Sequence, residues 1–126
     1  MANGTDNSNV FFKGAVLAIA YAVRADGSMP SKEFLESLAK ADRTKLRVNF
    51  EKLGNMGKIT NRERFKHIEG KIFGFKAHQV RIGCFRDGMT WFLTHGFIKK
   101  EDDWRPQEVR LAETIRQEYL ERKKHS

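Results

Sequence analysis

Cysteine, proline and long apolar runs are scarce in this chain of 126 residues. Its single cysteine, Cys84, excludes an internal disulfide framework and is typical of a reducing compartment. The most apolar run, residues 15–23, is too short to cross a bilayer. Residues 1–10 lack the basic start and apolar core of a secretory signal. We therefore expect a cytoplasmic protein with no membrane partner.

Motifs for several classes of chemistry are absent as well. No glycine-rich phosphate loop or dinucleotide fingerprint occurs. One cysteine cannot build a cysteine-rich metal site, and the histidines lack the spacing of zinc ligands. These histidines are His67, His78, His95 and His125. The sequence therefore predicts neither a metal site nor a cofactor.

Positive charge, by contrast, is abundant and concentrated. Lysine and arginine number 24 against 16 acidic residues, which gives a net charge of +8. Twelve of the basic residues and only four of the acidic ones lie between residues 40 and 81, and the rest of the chain is balanced. This segment predicts a basic face for an acidic partner such as a nucleic acid. A helix pair with a merely solvated basic surface is the alternative.

Hydrophobic periodicity and turn signals predict one α+β domain over residues 11–126, preceded by a flexible leader over residues 1–10. The elements follow the order β-α-α-β-β-β-α, with a small antiparallel sheet, two N-terminal-side helices and a C-terminal helix. The strands are expected within residues 11–23, 71–76, 79–86 and 89–98, and the helices over 31–41, 43–56 and from Pro106 onward. Residues 60–69 are interpreted as a basic connector.

The dipeptide Asp87-Gly88 is the strongest turn signal in the chain. It predicts a two-residue hairpin between the last two strands, since glycine accepts the positive φ that a type I′ turn requires. Taking these two residues as the loop fixes the register. The predicted pairs are Arg86–Met89, Cys84–Trp91, Ile82–Leu93 and Val80–His95. They share an apolar face that should pack on the helices, so Cys84 is interpreted as a packed hydrophobe and not as a nucleophile.

The opposite face of this hairpin is less apolar, and we predict that it is the working surface of the protein. It contains Arg81, Gly83, Phe85, Thr90, Phe92 and Thr94. Gly83 would leave an opening there, and Arg81 would supply positive charge. Phe85 and Phe92 would stack on bases, unless the last helix covers them.

Three stretches of the sequence together resemble a known family. They read GSMPSKEFLESL, FKHIEGKIFGFK and VRIGCFRDGMTWFLTHGFIKK, and a helix led by Pro106 follows them. With these features, residues 15–124 are similar to the RelE/HigB-type toxins of bacterial type II toxin–antitoxin pairs, and in particular to their phage-derived HigB-like branch. The resemblance implies a metal-independent endoribonuclease (an mRNA interferase) that cuts translated mRNA on the ribosome. It also implies a cognate helix-turn-helix antitoxin as partner.

Cleavage of RNA without a metal uses the 2′-hydroxyl as nucleophile. It needs a proton acceptor and cations that stabilise the phosphorane-like charge. Arg81 matches the family arginine on the penultimate strand, so the resemblance implies that it stabilises the scissile phosphate. His95 is a candidate general base, although the predicted register places it on the packed face unless the strand bulges. The candidate catalytic residues are Arg81, Lys99, Lys76 and His95.

Further basic and aromatic residues are candidates for holding the RNA. Lys100 stands after the last strand, where the family has basic residues, and the other cations belong to the basic segment or to the hairpin. The candidate RNA-binding residues are Lys100, Arg86, Lys66, Arg64, Arg43, Arg47, Phe85 and Phe92.

Two other functions stay open. A ParE-like toxin would use the same fold without catalysis to inhibit DNA gyrase, and a phage-derived nucleic-acid-binding module would not be toxic at all. Family members often keep polar or aromatic catalytic groups near the C-terminus, and no residue after Pro106 stands out as their equivalent.

Overall fold

In the part of the chain that the structure describes, six strands form one mixed sheet, with two helices packed on one face and a third helix on the other. The computed structural model describes residues 9–101 and 103–125. Its elements are β1 (Val10–Lys13), β2 (Ala18–Tyr21), α1 (Pro30–Ser37), α2 (Lys40–Met56), β3 (Phe65–Glu69), β4 (Ile72–Ala77), β5 (Val80–Asp87), β6 (Thr90–Ile98) and α3 (Pro106–Lys124). The predicted α+β class is confirmed.

The strands lie in the order β1-β2-β6-β5-β4-β3, and β2 and β6 are the one parallel pair among these described strands. The structure has two strands beyond the predicted ones. The single strand expected within residues 11–23 is a hairpin of β1 and β2, and the connector expected at residues 60–69 contains β3. Both β1 and β3 are edge strands, where exposed and charged residues hide the apolar pattern of a strand.

The face of the sheet that carries α1 and α2 holds the larger core. Leu46, Phe50 and Leu53 of α2 are buried against it, and their i, i+4, i+7 spacing places them on one side of the helix. Phe50 meets Phe75 of β4 edge to face, with ring centroids 4.8 Å apart, an arrangement that aromatic pairs favour. Cys84 is buried in this core, where the apolar face of the hairpin was expected to lie.

The opposite face of the sheet is covered by α3. Ala112 and Ile115 of this helix are fully buried and pack in one cluster with Ile72 and Phe85 of the sheet. The helix begins at Pro106, as predicted, and its last turn carries three cations, which suit the negative end of a helix dipole. The face predicted to be the working surface is therefore largely internal.

The hairpin between β5 and β6 has a different register from the predicted one. The structure pairs Asp87–Thr90, Arg86–Trp91, Cys84–Leu93, Ile82–Gly96 and Val80–Ile98. Gly88 and Met89 are consequently the loop residues, and Gly88 takes a positive φ of 59°. The predicted pairs are wrong, yet a shift of two residues near the turn leaves each side chain on its predicted face.

A β-bulge in β6 changes the register a second time. Between the pair of Cys84 and Leu93 and the pair of Ile82 and Gly96, β6 contains one residue more than β5. The extra residue reverses the alternation of side chains, so His95 faces α3. The bulge is the exception attached to the predicted register, and it takes His95 off the face that is packed against the first two helices.

Residues 1–8 of the predicted leader lie outside the described part of the chain. Val10 already begins β1, and Asn9 Nδ2 donates a hydrogen bond to the backbone oxygen of Tyr21 at 2.7 Å. Within the described residues, the structure contains no helix that is long and apolar enough to span a bilayer.

Candidate functional site

Positive side chains gather at the end of the sheet where β4 and β6 stop and β5 begins. Lys76 of β4 lies opposite Arg81 of β5, and Arg81 lies opposite Phe97 of β6. We call this region the basic end. Its cations are Arg64, Lys66, Lys76, Arg81, Lys99, Lys100 and Arg105, and its acids are Glu63, Asp103 and Glu108.

Arg81 is the most deeply buried cation of the basic end, with 2% of its surface exposed. Its Nε donates to Oδ1 of Asp103 at 2.5 Å, and its Nη1 donates to the backbone oxygens of His78 and Val80. The other carboxylate oxygen of Asp103 accepts from Nζ of Lys66 at 3.2 Å. Burial opposes ionisation of Asp103, but the hydrogen bonds from these two cations outweigh it and lower its pKa. An ionised carboxylate thus occupies the position between Arg81 and Lys66.

Trp104 closes the face on which the sequence predicted an opening. Gly74 and Gly83 are paired across β4 and β5, and a Cβ on either would lie 3.0 to 3.1 Å from the Trp104 indole. At Gly83 the added atom would also fall 2.5 Å from Oγ1 of Thr94. The two glycines therefore form a flat seat for the indole.

The two candidate stacking rings lie farther along the same face, under α3. Phe85 is fully buried, so it has no exposed ring surface for a base. Phe92 is half-buried and packs with Phe85 at 5.4 Å and with Tyr119 of α3 at 4.5 Å between centroids. These rings stabilise the attachment of α3 in the described structure.

His95 is buried beside α3, and both of its ring nitrogens have partners. Its Nε2 lies 3.1 Å from Oε1 of Glu108, and its Nδ1 lies 3.2 Å from Oγ1 of Thr94. Burial lowers the pKa of His95 more than the neighbouring Glu108 carboxylate raises it. A neutral imidazole fits these partners, with Nε2–H donating to the carboxylate and Nδ1 accepting from the hydroxyl. The solvent-facing member of the pair is Glu108, whose side chain is 24% exposed.

The lysines of the basic end are more accessible than Arg81. Lys76 Nζ lies 3.1 Å from Oε1 of Glu63, an exposed carboxyl whose pKa the lysine lowers by a hydrogen bond. Lys99 follows β6 and its backbone N–H donates to the oxygen of Gln79 at 2.7 Å. Among the described residues, no ion pair involves the side chain of Lys99 or Lys100. Lys99 is half-buried and Lys100 is exposed.

A cleft of about 310 Å³ opens at the basic end, between the end of β6 and the start of α3. Its walls are Phe97, Ile98, Lys100, Arg105 and Glu108. Two wall residues link the cleft to the rest of the site: Glu108 contacts His95, and Phe97 pairs with Arg81 across the β5–β6 ladder.

The remaining candidates lie in three regions. Arg64 directly precedes β3, and its carbonyl accepts the backbone N–H of Lys76 at 2.9 Å, so it belongs to the basic end. Arg43 and Arg47 are exposed on α2. Arg86 lies at the opposite end of the sheet, where its Nε donates to the oxygen of Gly88. The structure therefore does not bring Arg86 together with Arg81.

Three residues of the site were missed from sequence: Asp103, Trp104 and Glu108. The cations Arg81 and Lys66 both converge on Asp103, and no local pattern in the sequence indicates this. Glycines within two neighbouring strands, such as Gly74 of β4 and Gly83 of β5, indicate that a large side chain packs closely on the sheet, as Trp104 does. Among residues 9–101 and 103–125, no three His, Cys, Asp or Glu side chains are grouped so that they could hold a metal ion.

Comparison with protein families gives a match over most of the chain. The sequence profile of the family described as phage derived protein Gp49-like (DUF891) matches residues 33–117, about two thirds of the chain. The match covers α2, β3 to β6 and most of α3, and thus every residue of the basic end. No curated protein matches the chain.

Proposed function

Because the chain belongs to the phage-derived Gp49-like family, which is part of the RelE/HigB-like group of toxin–antitoxin toxins, we propose that it is a toxin that cuts translated mRNA on the ribosome. The observation that carries the proposal is the clustering of cations around a cleft at the basic end. Such a surface suits a phosphodiester chain, whose binding is dominated by contacts from lysine and arginine to phosphates.

Arg81 is proposed to bind the scissile phosphate, together with Lys66. A phosphate has the same charge sign as the Asp103 carboxylate and accepts the same hydrogen bonds, so it can exchange with Asp103 on these two cations. Lys76 and Lys99 would hold adjacent phosphates. A cation that stabilises developing charge in the transition state contributes about 3 to 4 kcal/mol in comparable sites.

His95 is proposed to act as a positioning residue and not as the general base. Its imidazole is 4% exposed, and both nitrogens are engaged, by Glu108 and by Thr94. A general base needs a nitrogen within reach of the 2′-hydroxyl. We assign to His95 the task of holding the Glu108 carboxylate at the wall of the cleft.

The proposed partners are the ribosome with its mRNA and a helix-turn-helix antitoxin. If the partner is a polyanion bound at the basic end, affinity falls steeply as salt rises, because each phosphate contact releases counterions. A flat salt response would contradict binding through this surface.

Induced expression followed by mapping of transcript 5′ ends tests the proposal. We expect growth arrest and new 5′ ends within translated reading frames, and none in untranslated transcripts. Growth arrest without new ends would contradict cleavage and would fit the ParE-like alternative. Normal growth with RNA binding would instead favour a binding module.

A further inference from the structure

The cleft at the basic end combines three features, and one class of ligand is complementary to all of them. Two cations, Lys100 and Arg105, line it, and neither side chain makes an ion pair among the described residues. Arg105 also precedes the first turn of α3, where the positive end of the helix dipole adds positive potential. An anionic group, such as a phosphate, is favoured at this part of the wall.

A carboxylate stands at the same cleft and favours a hydrogen-bond donor in the ligand. Oε1 of Glu108 accepts the Nε2–H of His95 at 3.1 Å, which fixes the side chain. For Oε2 the described residues supply no hydrogen bond. Each carboxylate oxygen has two lone pairs, so Glu108 keeps acceptor capacity for N–H groups that enter the cleft.

The third feature of the cleft is an aromatic wall. Phe97 is half-buried and is held edge to face against Trp104, with centroids 4.8 Å apart and planes at 90°. Single-stranded RNA is bound by stacking of bases on such rings. A flat ligand that carries both a phosphate and N–H donors, as a nucleotide does, satisfies the aromatic ring, the cations and the carboxylate together.

We propose that this cleft is a nucleobase subsite that selects guanine, with Glu108 reading its Watson–Crick edge. Guanine presents N1–H and N2–H side by side, which match the two oxygens of a carboxylate. Adenine and cytosine present a single amino group, and the N–H of uracil lies between two carbonyl oxygens that would face the carboxylate. The inference deepens the proposed function, on which its biological meaning rests, by naming the base next to the phosphate bound at Arg81.

Titration of the purified protein with GMP, AMP, CMP and UMP, followed by NMR shifts of backbone amides, tests the subsite. We expect GMP to bind roughly tenfold more tightly than UMP, as a bidentate base contact gives. The shifted amides should include those of Phe97, Lys100 and Arg105. Equal affinity for all four nucleotides, no binding, or shifts confined to other residues would overturn the inference.

The variant Glu108→Gln isolates the carboxylate. Its amide oxygen can still accept from His95, while its NH₂ group replaces the acceptor in the cleft, so the preference for GMP over UMP should fall below about twofold. Glu113→Gln is the matched control, because Glu113 lies on the same helix and pairs with Arg116. An unchanged preference in Glu108→Gln, or an equal loss in the control, would contradict the role of Glu108.

Nucleotide binding separates this inference from the proposed function. A guanine preference in a protein that cuts no message would leave the subsite standing and remove the nuclease. Cleavage of translated mRNA by a protein that shows no base preference in this titration would support the nuclease and overturn the guanine subsite.

Discussion

The carboxylate of Asp103 is held by Arg81, at 2.5 Å between Oδ1 and Nε, and its second oxygen is held by Lys66. Arg81 comes from the start of β5, an interior strand of the sheet, and Asp103 comes from the segment that joins β6 to α3. The carboxylate stands where the proposed function requires a phosphate, so removal of its charge should free the two cations.

Asp103→Asn is expected to bind single-stranded RNA several-fold more tightly than the unchanged protein. The amide keeps one acceptor but no longer neutralises Arg81 and Lys66. Stability should fall by about 1 to 3 kcal/mol, because a hydrogen bond to a buried charged group is weakened. Fluorescence anisotropy with a labelled RNA and urea unfolding measure the two effects.

Glu118→Gln is the control for this variant. Glu118 pairs with Arg24 at 2.9 Å, so the change in net charge is the same, but the pair does not belong to the basic end. An equal gain in affinity in both variants would show a general charge effect and contradict the displacement of Asp103.

Gly83→Ala is expected to destabilise the protein by about 1 to 3 kcal/mol, as overpacking of a filled site does. The added Cβ would fall 2.5 Å from Oγ1 of Thr94 and 3.1 Å from the indole of Trp104. Because the indole must shift, the near-UV circular dichroism should change as well. A decrease of less than about 0.5 kcal/mol in the free energy of unfolding, measured with urea, would contradict the close packing of Trp104 on Gly83.

The stability of the fold should decrease between pH 7 and pH 5 because of His95. Burial holds its folded pKa below the ordinary value of 6.5. As the pH falls below 6.5, His95 therefore takes up a proton more readily in the unfolded chain than in the folded one. The free energy of unfolding decreases as a result, until the pH reaches the folded pKa. The loss is at most about 2 kcal/mol at pH 5.

His95→Gln should flatten this part of the pH profile in urea unfolding. Carboxyls with lowered pKa values, Asp103 and Glu118 among them, lose their contribution only below their ordinary values of 3.8 and 4.5. The window above pH 5 is thus dominated by histidine. A slope that the substitution leaves unchanged would contradict the burial of a neutral His95.

Cys84 should be unreactive in the folded protein. The thiol is fully buried, and burial raises its pKa well above the ordinary value, so little thiolate is present. A thiol-specific chromogenic disulfide should react with one equivalent only after denaturant is added. Full reaction under native conditions would contradict its place in the core.

Local pattern predicts much of this fold. Hydrophobic periodicity predicted α2 over residues 43–56, Pro106 marked the start of α3, and the turn after β5 was located to within one residue. Each of these signals lies within a few residues of the element that it specifies, so periodicity and turn chemistry are sufficient.

The site depends on contacts that local pattern does not contain. The bulge that turns His95 towards α3 arises from the pairing of β5 with β6, and it cannot be inferred from the residues of the turn. Arg81 and Asp103 are 22 positions apart and meet only after α3 and its preceding segment fold onto the sheet. Individual candidate residues could therefore be named from sequence, whereas their partners, burial and accessibility could not.

Cleavage of a defined message by the purified protein is the most direct test of the central claim, that the basic end cuts translated mRNA through Arg81. Ribosomes that hold a known codon would be mixed with the protein, and primer extension would reveal the cut. We expect a product only with ribosomes present, and a rate lower by about 10² to 10³ in Arg81→Gln. Arg116→Gln, which removes a paired arginine on α3, should cleave at the unchanged rate. No product from the unchanged protein, or an undiminished rate in folded Arg81→Gln, would contradict the account.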